Sequence, residues 1–264
     1  MFQHFAVMGN PIDHSLSPII HQYFAKQAGI QLTYAKIKAE EQSFEQQLTD
    51  FFHQQGVGVN VTLPFKQRAF AMAQQTTERC KQAGAANTLW MDANQLCADN
   101  TDGVGLIRDL HHHIDLPGKR VAILGAGGAV RGIIHPLLQN KLAELVIVNR
   151  TLAKGMELQQ LFPEIQVLSI NELAGAFDLI INATSASLAG ELPSLPHECF
   201  ANKPFFYDLS YKKQEDTVFV HYAKEMGCRA VDGLGMLVEQ AAEAFFIWHG
   251  FKPETKTVLE LLRI

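Results

Sequence analysis

The sequence predicts an α/β protein with mostly parallel sheets, divided into two domains. Strand-like apolar runs alternate with helical patterns almost from one end of the 264-residue chain to the other. One apolar run, at 121–124, breaks into closely spaced glycines and continues as a helical pattern. The composition, with 47% apolar and 19% charged residues, is that of a globular protein with a substantial core.

In the first part of the chain, each predicted strand is followed by a predicted helix. Ser17 and Pro18 are typical of a helix start, and Pro64 is predicted to open another helix. Apolar side chains recur at helical spacing around 44–52, and a polar turn at 92–94 joins two short apolar runs into a hairpin. The predicted elements are strand 5–8, helix 17–28, strand 33–38, helix 44–52, strand 57–61, a helix from Pro64, and the hairpin strands 88–91 and 95–98.

Strand and helix patterns alternate again from residue 121. The predicted strands lie at 121–124, 145–148, near 165, at 178–181, at 205–208 and at 229–231, and the closing helices at 233–249 and 253–262. A polar turn at 100–103 marks the boundary between two α/β blocks, and we expect the closing helices to pack on the first block.

The glycine-rich turn after the strand at 121–124 is suited to holding a pyrophosphate. Glycines let the backbone approach the phosphates, and the helix that follows presents free N–H groups and the positive end of its dipole. The third position of the fingerprint is Val130, where glycine or alanine is usual. The sequence therefore predicts a Rossmann-type domain, with candidate cofactor contacts at Gly125, Ala126, Gly127, Gly128 and Ala129.

The end of the next strand indicates which dinucleotide binds. An aspartate or glutamate at this position selects NAD by accepting a hydrogen bond from the ribose 2′-hydroxyl. This chain instead has Asn149, Arg150 and Thr151, followed one turn later by Lys154. Positive charge with polar groups suits a 2′-phosphate, so the sequence predicts NADP(H).

Charge and cysteine spacing exclude several classes of protein. A net charge of −5 and a pI near 6.1 argue against nucleic acid or an anionic membrane as the main partner. No signal-peptide pattern and no apolar run long enough to span a bilayer are present. The four cysteines lack Cys-x-x-Cys spacing, which predicts reduced thiols rather than disulfides or a zinc site. We expect a cytoplasmic protein without a metal.

Several residues of the first block have the chemistry to act on a small substrate. Ser15 and Ser17, at a helix start, either cap the helix or hold a carboxylate. Lys66 lies in a first helical turn, where the dipole disfavours a cation, so it is either a surface lysine or one that exchanges a proton. Asp102 is either a helix cap or the partner of Lys66.

Six segments of the chain resemble, in order, the motifs of the shikimate dehydrogenases. The resemblance extends over the whole chain and surrounds the predicted NADP turn. The six segments are Gly9-Asn10-Pro11-Ile12, His14-Ser15-Leu16-Ser17-Pro18, Asn60-Val61-Thr62-Leu63-Pro64-Phe65-Lys66, Gly84-Ala85-Ala86-Asn87-Thr88, Asn100-Thr101-Asp102-Gly103 and Asp232-Gly233-Leu234-Gly235-Met236-Leu237-Val238.

The resemblance implies an oxidoreductase of chorismate and aromatic amino-acid biosynthesis. It also implies a substrate-binding domain at 1–101, an NADP-binding domain at 102–236, and C-terminal helices at 237–264 that return to the first domain. Such an enzyme interconverts 3-dehydroshikimate and shikimate with NADP(H), and Lys66 corresponds to its acid/base residue, with Asp102 beside it. By position, the residues that bind substrate are Ser15, Ser17, Thr62, Lys66, Asn87, Asp102, Tyr211 and Gln240. The residues that bind cofactor are Gly125 to Ala129, Asn149, Arg150, Thr151, Lys154, Leu209 and Gly233, with Glu78 at the cleft between the domains.

The sequence leaves two other functions open. One is a quinate/shikimate dehydrogenase that uses NAD; the acid that would indicate it after the second cofactor strand is absent. The other is a non-catalytic regulator that binds shikimate or NADP.

Lys154 also stands where many members of the family carry arginine, which keeps the charge but loses the planar fork. The oligomeric state is open, with a homodimer as one possibility.

Overall fold

A computed structural model describes residues 3–184, 186, 190–192 and 195–263 of the chain. The polypeptide divides into a first unit, residues 3–106 with 237–261, and a second unit, residues 107–236 with 262–263. Each unit contains one six-stranded sheet. The predicted α/β class with two domains is confirmed.

The division between the units differs in detail from the predicted domain limits. It falls after residue 106, within helix α5 (Asp102–Leu110), whereas the prediction placed it at the start of that helix. Leu262 and Arg263 belong to the second unit, where the Arg263 guanidinium donates to Asp232 Oδ1 at 3.1 Å. Residues 1, 2 and 264 of the predicted domains lie outside the described residues.

The sheet of the first unit is mixed. Its strands are β1 (Gln3–Gly9), β2 (Leu32–Lys38), β3 (Gly56–Val61), β4 (Gln75–Thr76), β5 (Thr88–Asp92) and β6 (Gln95–Asp99), in the order β2-β1-β3-β5-β6-β4. Strand β1 pairs in parallel with β2 and β3, and β4 pairs in parallel with β6. The hairpin strand β5 is antiparallel to β3 and to β6.

The helices of this unit begin close to the predicted positions, with three differences. They are α1 (Ser17–Ala28), α2 (Phe44–His53), α3 (Lys66–Met72), α4 (Glu78–Ala83), and all but the end residues of α9 (Leu234–His249) and α10 (Lys256–Leu262), of which 234–236 and 262 belong to the second unit. The helix predicted from Pro64 begins at Lys66, because the Phe65 N–H closes a turn onto the Thr62 carbonyl. Helix α10 begins after Pro253 because the Glu254 carboxylate accepts from the N–H groups of its first turn. The short elements β4 and α4 were not predicted.

A histidine lies at the centre of an aromatic group in the first unit. His21 of α1 is fully buried, and its ring stacks on Tyr34 with centroids 4.4 Å apart and lies 5.4 Å from Trp248. Burial, and to a lesser degree the nearby His249, lowers the pKa of His21 to about 3. The ring is therefore neutral in the native protein at any pH above this value.

We expect His21 to make the protein less stable in acid. An unfolded histidine takes up a proton near pH 6.5, whereas the native ring does so only near pH 3. The contribution of His21 to the free energy of unfolding is thus fully present above about pH 6.5 and is lost as the pH falls towards 3. The loss amounts to roughly 2 kcal/mol by pH 5. Urea unfolding of the wild type and of His21→Phe at pH 7.5, 6 and 5 measures it: the wild type should lose more stability than the variant. Parallel pH dependences would contradict the expectation.

The second unit has a parallel sheet of Rossmann type. Its strands are β7 (Arg120–Leu124), β8 (Glu144–Val148), β9 (Gln166–Leu168), β10 (Leu179–Asn182), β11 (Phe205–Asp208) and β12 (Ala230–Asp232), in the order β12-β11-β10-β7-β8-β9. Its helices include α6 (Gly128–Gln139), α7 (Leu152–Leu161) and α8 (Val218–Glu225). This order is the doubly wound one, in which ligands bind beyond the carboxyl ends of the strands where the order reverses, here between β7 and β10.

Neither a membrane-spanning helix nor a metal-binding cluster is present among the residues that the structure describes. No helix among these residues has the length and apolarity that a membrane span requires. Within the same residues, no group of three or more histidine, cysteine or acidic side chains is arranged to hold a metal ion. The four cysteines are free and buried.

Candidate active site

The direction of the strands brings four segments of the first unit to one edge of its sheet. Strands β1 and β3 are parallel, so their carboxyl ends lie at the same edge. Strand β5 runs the other way and therefore begins at that edge, and β6, antiparallel to β5, ends there. The register places Thr88 between Asn60 of β3 and Asp99 of β6. The segments after β1, β3 and β6 and before β5 therefore meet.

Lys66 and Asp102 form a buried ion pair at this edge. The Lys66 amine donates to Asp102 Oδ2 at 2.5 Å, although the two residues are 36 positions apart in the chain. Only 9% of Lys66 and 4% of Asp102 is exposed, so Lys66 is not a solvated surface lysine. The Asp102 carboxylate receives side-chain donors rather than capping its helix, which favours the second of the two interpretations of this residue.

Asn87 connects this ion pair to the closing helix α9. Its amide nitrogen donates to Asp102 Oδ1 at 2.9 Å, and Gln240 Oε1 lies 3.3 Å from the same nitrogen. The side-chain oxygen of Asn87, Oδ1, accepts from the Thr101 backbone N–H at 2.8 Å. Four predicted substrate residues, Lys66, Asn87, Asp102 and Gln240, thus form one buried polar cluster.

The two serines lie at the start of α1 without capping it. The helix begins at Ser17 itself, with Leu16 at the cap position, so the predicted cap at Ser17 is wrong by one residue. The Ser15 hydroxyl lies 3.2 Å from the Ser17 hydroxyl and accepts from the Ser17 N–H at 3.3 Å. Two hydroxyl groups beside the N–H groups of the helix N-terminus form a polar surface that suits a carboxylate.

Thr62 follows directly after β3 and is half-buried. It packs against the end of β1 so closely that a Cβ on Gly9 would lie 2.3 Å from the Thr62 methyl group. Only glycine at position 9 allows this approach. The hydroxyl-bearing side chain is therefore held at the same edge as Lys66, in the turn that ends at Phe65, one residue before α3.

Three polar residues of this edge were not among the predicted site residues. Asn60, Thr88 and Thr101 are buried and hydrogen-bonded to Asn87. A signal was present, because each lies inside one of the six motifs. Asn60 and Thr88 are also polar side chains within largely apolar strands, where a buried polar group requires a partner.

In the second unit, the glycine turn leaves room for a ligand at the carboxyl end of β7. Gly125 has φ +109°, a backbone conformation that residues with a side chain rarely adopt, and a Cβ there would lie 3.1 Å from the Ala183 carbonyl oxygen. Gly127 and Gly128 begin α6, and a Cβ on either would meet nothing within 4 Å. The first N–H groups of a helix have no partner inside it. The open space beside these donors fits a pyrophosphate.

The residues predicted to read the ribose follow β8. The Asn149 side chain donates to the Thr151 carbonyl at 2.7 Å, and Thr151 occupies the cap position of α7. Arg150 and Lys154 are exposed, and neither forms an ion pair within the described residues. Two cations are therefore available at the place where an adenosine 2′-phosphate would lie.

The remaining predicted residues occupy both units. In the second unit, Gly233 donates its N–H to the Ser210 carbonyl, and a Cβ on Gly233 would lie 2.4 Å from the Leu209 carbonyl, so the ends of β11 and β12 are in tight contact. Tyr211 follows the same strand end and is half-buried. Glu78, at the start of α4 in the first unit, is exposed, with its carboxylate 4.0 Å from the Lys81 amine. Its relation to a cofactor stays a prediction.

A Rossmann unit with a free glycine turn, together with a unit that holds a buried lysine–aspartate pair, defines an α/β oxidoreductase that depends on a dinucleotide. Three family models match the chain: "Shikimate dehydrogenase substrate binding domain" over residues 7–89, "Shikimate / quinate 5-dehydrogenase" over 108–210, and "Shikimate 5'-dehydrogenase C-terminal domain" over 233–263. The chain belongs to the shikimate dehydrogenase family.

Individual relatives are similar over their whole length. "Shikimate dehydrogenase (NADP(+))" of Legionella pneumophila is 60% identical over 263 residues, which cover 100% of this chain and 99% of the relative. The solved structure of an Ael1 enzyme from Pseudomonas putida is 42% identical, with a TM-score of 0.91 over 99% of this chain and 98% of that one. Shikimate 5-dehydrogenase of Thermus thermophilus, solved with NADP(H) and shikimate, is 30% identical, with a TM-score of 0.88 over 99% of both chains.

Proposed function

We propose that this chain reduces 3-dehydroshikimate to shikimate with NADPH, and catalyses the reverse reaction, with Lys66 as the acid/base group. The family and the relatives named for shikimate and NADP(+) support the reaction and the cofactor. The observation that supports the role of Lys66 is its buried contact with Asp102. A lysine held in one position by a carboxylate, and largely shielded from water, is suited to exchange a proton with a substrate oxygen.

The chemistry divides between the cofactor and the protein. NADPH supplies the hydride that reduces the ketone carbon. Lys66 gives a proton to the oxygen that becomes a hydroxyl, and takes it back in the reverse direction. Asp102 orients the Lys66 amine, and Asn87 holds the other oxygen of that carboxylate. In this proposal, Lys66 would supply a proton as negative charge develops on the substrate oxygen.

The other polar groups at the sheet edge would bind the substrate. Ser15 and Ser17, with the N-terminus of α1, form a seat for the carboxylate. Thr62, Asn87, Asp102 and Gln240 offer both donors and acceptors for ring hydroxyls. We also assign Tyr211 to the substrate. Because the groups that face the ring are mostly neutral, they would distinguish one carboxylate substrate from another by the positions of its hydroxyl groups.

The cofactor is NADP(H), and the residues of the second unit fit it. Gly125, Ala126, Gly127, Gly128 and Ala129 would hold the pyrophosphate at the start of α6. Asn149, Arg150, Thr151 and Lys154 would hold the adenosine 2′-phosphate. We propose that Leu209 and Gly233 lie beside the nicotinamide and that Glu78 is a further cofactor-binding residue.

The direct test is NADPH formation, followed at 340 nm, with shikimate and NADP. Assays with NAD and with quinate are run beside it. Turnover of shikimate with NADP and little turnover in the other assays is the expected result. Comparable efficiency with NAD or quinate would replace the proposal by a broader quinate/shikimate dehydrogenase. Binding of shikimate without turnover would indicate a regulator.

Arg150→Ala should weaken NADP binding specifically. A charge-assisted hydrogen bond contributes about 1.5–3 kcal/mol, which corresponds to a rise of roughly tenfold to a hundredfold in the KM for NADP. The kcat and the KM for shikimate should change little. Lys252→Ala, which removes another exposed cation, is the matched control. An unchanged KM for NADP in Arg150→Ala would place the phosphate elsewhere.

We further propose a cytoplasmic enzyme whose partners are small molecules, without nucleic acid or membrane partners. Four free, buried cysteines support a reducing compartment, and the net charge of −5 supports the absence of polyanionic partners. A homodimer stays a prediction, which light scattering of the purified protein tests.

A further inference from the structure

A continuous chain of hydrogen bonds leads from the core of the first unit to its polar cluster. The Tyr34 hydroxyl donates to Asn60 Oδ1 at 2.6 Å, and Asn60 Nδ2 donates to Thr88 Oγ1 at 3.1 Å. The Thr88 hydroxyl in turn donates to Asn87 Oδ1 at 2.9 Å. Asn87 Nδ2 then donates to Asp102 Oδ1, the carboxylate that holds Lys66.

The direction of these bonds is determined at each step. Asn60 Nδ2 also donates to the backbone carbonyl of Asn87 at 3.0 Å. Because a backbone carbonyl can only accept, the Asn60 atom at this position is the amide nitrogen, and Thr88 Oγ1 accepts from it. The single hydroxyl proton of Thr88 is then free to donate to Asn87 Oδ1. With the Thr101 backbone N–H also donating to that oxygen, the amide nitrogen of Asn87 must face Asp102.

Burial makes this orientation consequential. Thr88 is 0% exposed and Asn87 is 2% exposed, so water cannot replace a lost donor or acceptor at low cost. Without the Thr88 hydroxyl, Asn87 Oδ1 would lose one of its donors and Asn60 Nδ2 one of its acceptors. Both amides would then be less strongly held in their orientations.

We propose that Thr88 is a positioning residue for the acid/base pair. It fixes the Asn87 amide through its hydroxyl, and thereby keeps an N–H donor on the Asp102 carboxylate that holds Lys66. The inference rests on the proposed role of Lys66 and extends it to a residue that has no direct hydrogen bond to either member of the pair. The hydroxyl, rather than the methyl group, carries this role.

The test compares Thr88→Val, which replaces the hydroxyl by a methyl group, with Thr88→Ser, which keeps it. We expect kcat for shikimate oxidation to fall about tenfold or more in Thr88→Val and to stay within about twofold of the wild type in Thr88→Ser. The pH–kcat profile should move to higher pH in Thr88→Val alone, because a carboxylate that loses a donor holds the protonated amine more tightly. A purely structural defect would lower kcat equally at every pH.

Two results would overturn the inference. One is wild-type kcat and pH profile in Thr88→Val; the other is an equal loss in Thr88→Ser, which would assign the effect to packing. Should Thr88→Val not fold, Thr88→Ala removes the hydroxyl without adding volume and is judged by the same criteria.

Assays of Lys66→Met distinguish a failure of this inference from a failure of the proposed acid/base role. If that variant is inactive while Thr88→Val equals the wild type, only the role of Thr88 fails; if Lys66→Met is active, the acid/base role fails first.

Discussion

Replacing Lys66 by methionine should lower kcat for shikimate oxidation about a thousandfold. General acid–base catalysis contributes roughly 10²- to 10⁴-fold, and methionine keeps an unbranched side chain of similar length without a proton to exchange. Steady-state assays over a range of shikimate and NADP concentrations measure the loss. It should appear in kcat and in kcat/KM, because the proton moves only as the reaction proceeds.

The loss has to be separated from damage to the fold. Lys66→Met leaves Asp102 buried without its cation, and such a change destabilises proteins by about 3–5 kcal/mol. Melting temperature and NADP affinity are therefore measured with the rates. Lys26→Met, at an exposed position in the last turn of α1, is the matched control and should keep normal activity. A folded Lys66→Met protein with kcat within about tenfold of the wild type would contradict the acid/base role.

Replacing Asp102 by asparagine should lower kcat about a hundredfold. The carboxylate accepts from Lys66 at one oxygen and from Asn87 at the other. An amide has only one acceptor oxygen, so its NH₂ group would face one of these two donors. Either the Lys66 amine or the Asn87 amide then loses its position. Asp92→Asn, at the exposed turn of the hairpin, is the matched control for the change of charge.

The double variant Lys66→Met/Asp102→Asn decides whether the two residues act together. If Asp102 acts through the amine of Lys66, the double variant should be no slower than Lys66→Met alone. Multiplied losses, by contrast, would mean that Asp102 contributes independently, for example by binding a substrate hydroxyl. The same cycle measured on the free energy of unfolding reports the strength of the ion pair apart from catalysis.

Much of the fold could be predicted because its signals are local. The hairpin at 88–98 and the strands of the second unit were predicted to within one or two residues, since strand and helix periods repeat over short windows. The errors are the two short elements that were missed, β4 and α4, and the starts of two helices. The helix predicted from Pro64 begins only at Lys66, because residues 62–65 form a turn. The helix predicted from Pro253 begins three residues later, because the Glu254 carboxylate accepts from its first N–H groups.

The sequence by itself determined the α/β class, the cofactor turn at 125–129, the basic residues after β8 and the family, because each depends on residues that are neighbours along the chain. The tertiary structure decided which polar groups meet. The contact of Lys66 with Asp102, and the path from Thr88 through Asn87 to that pair, depend on β5 running antiparallel between β3 and β6. Strand order and direction bring distant residues to one edge of a sheet, and no local spacing records them.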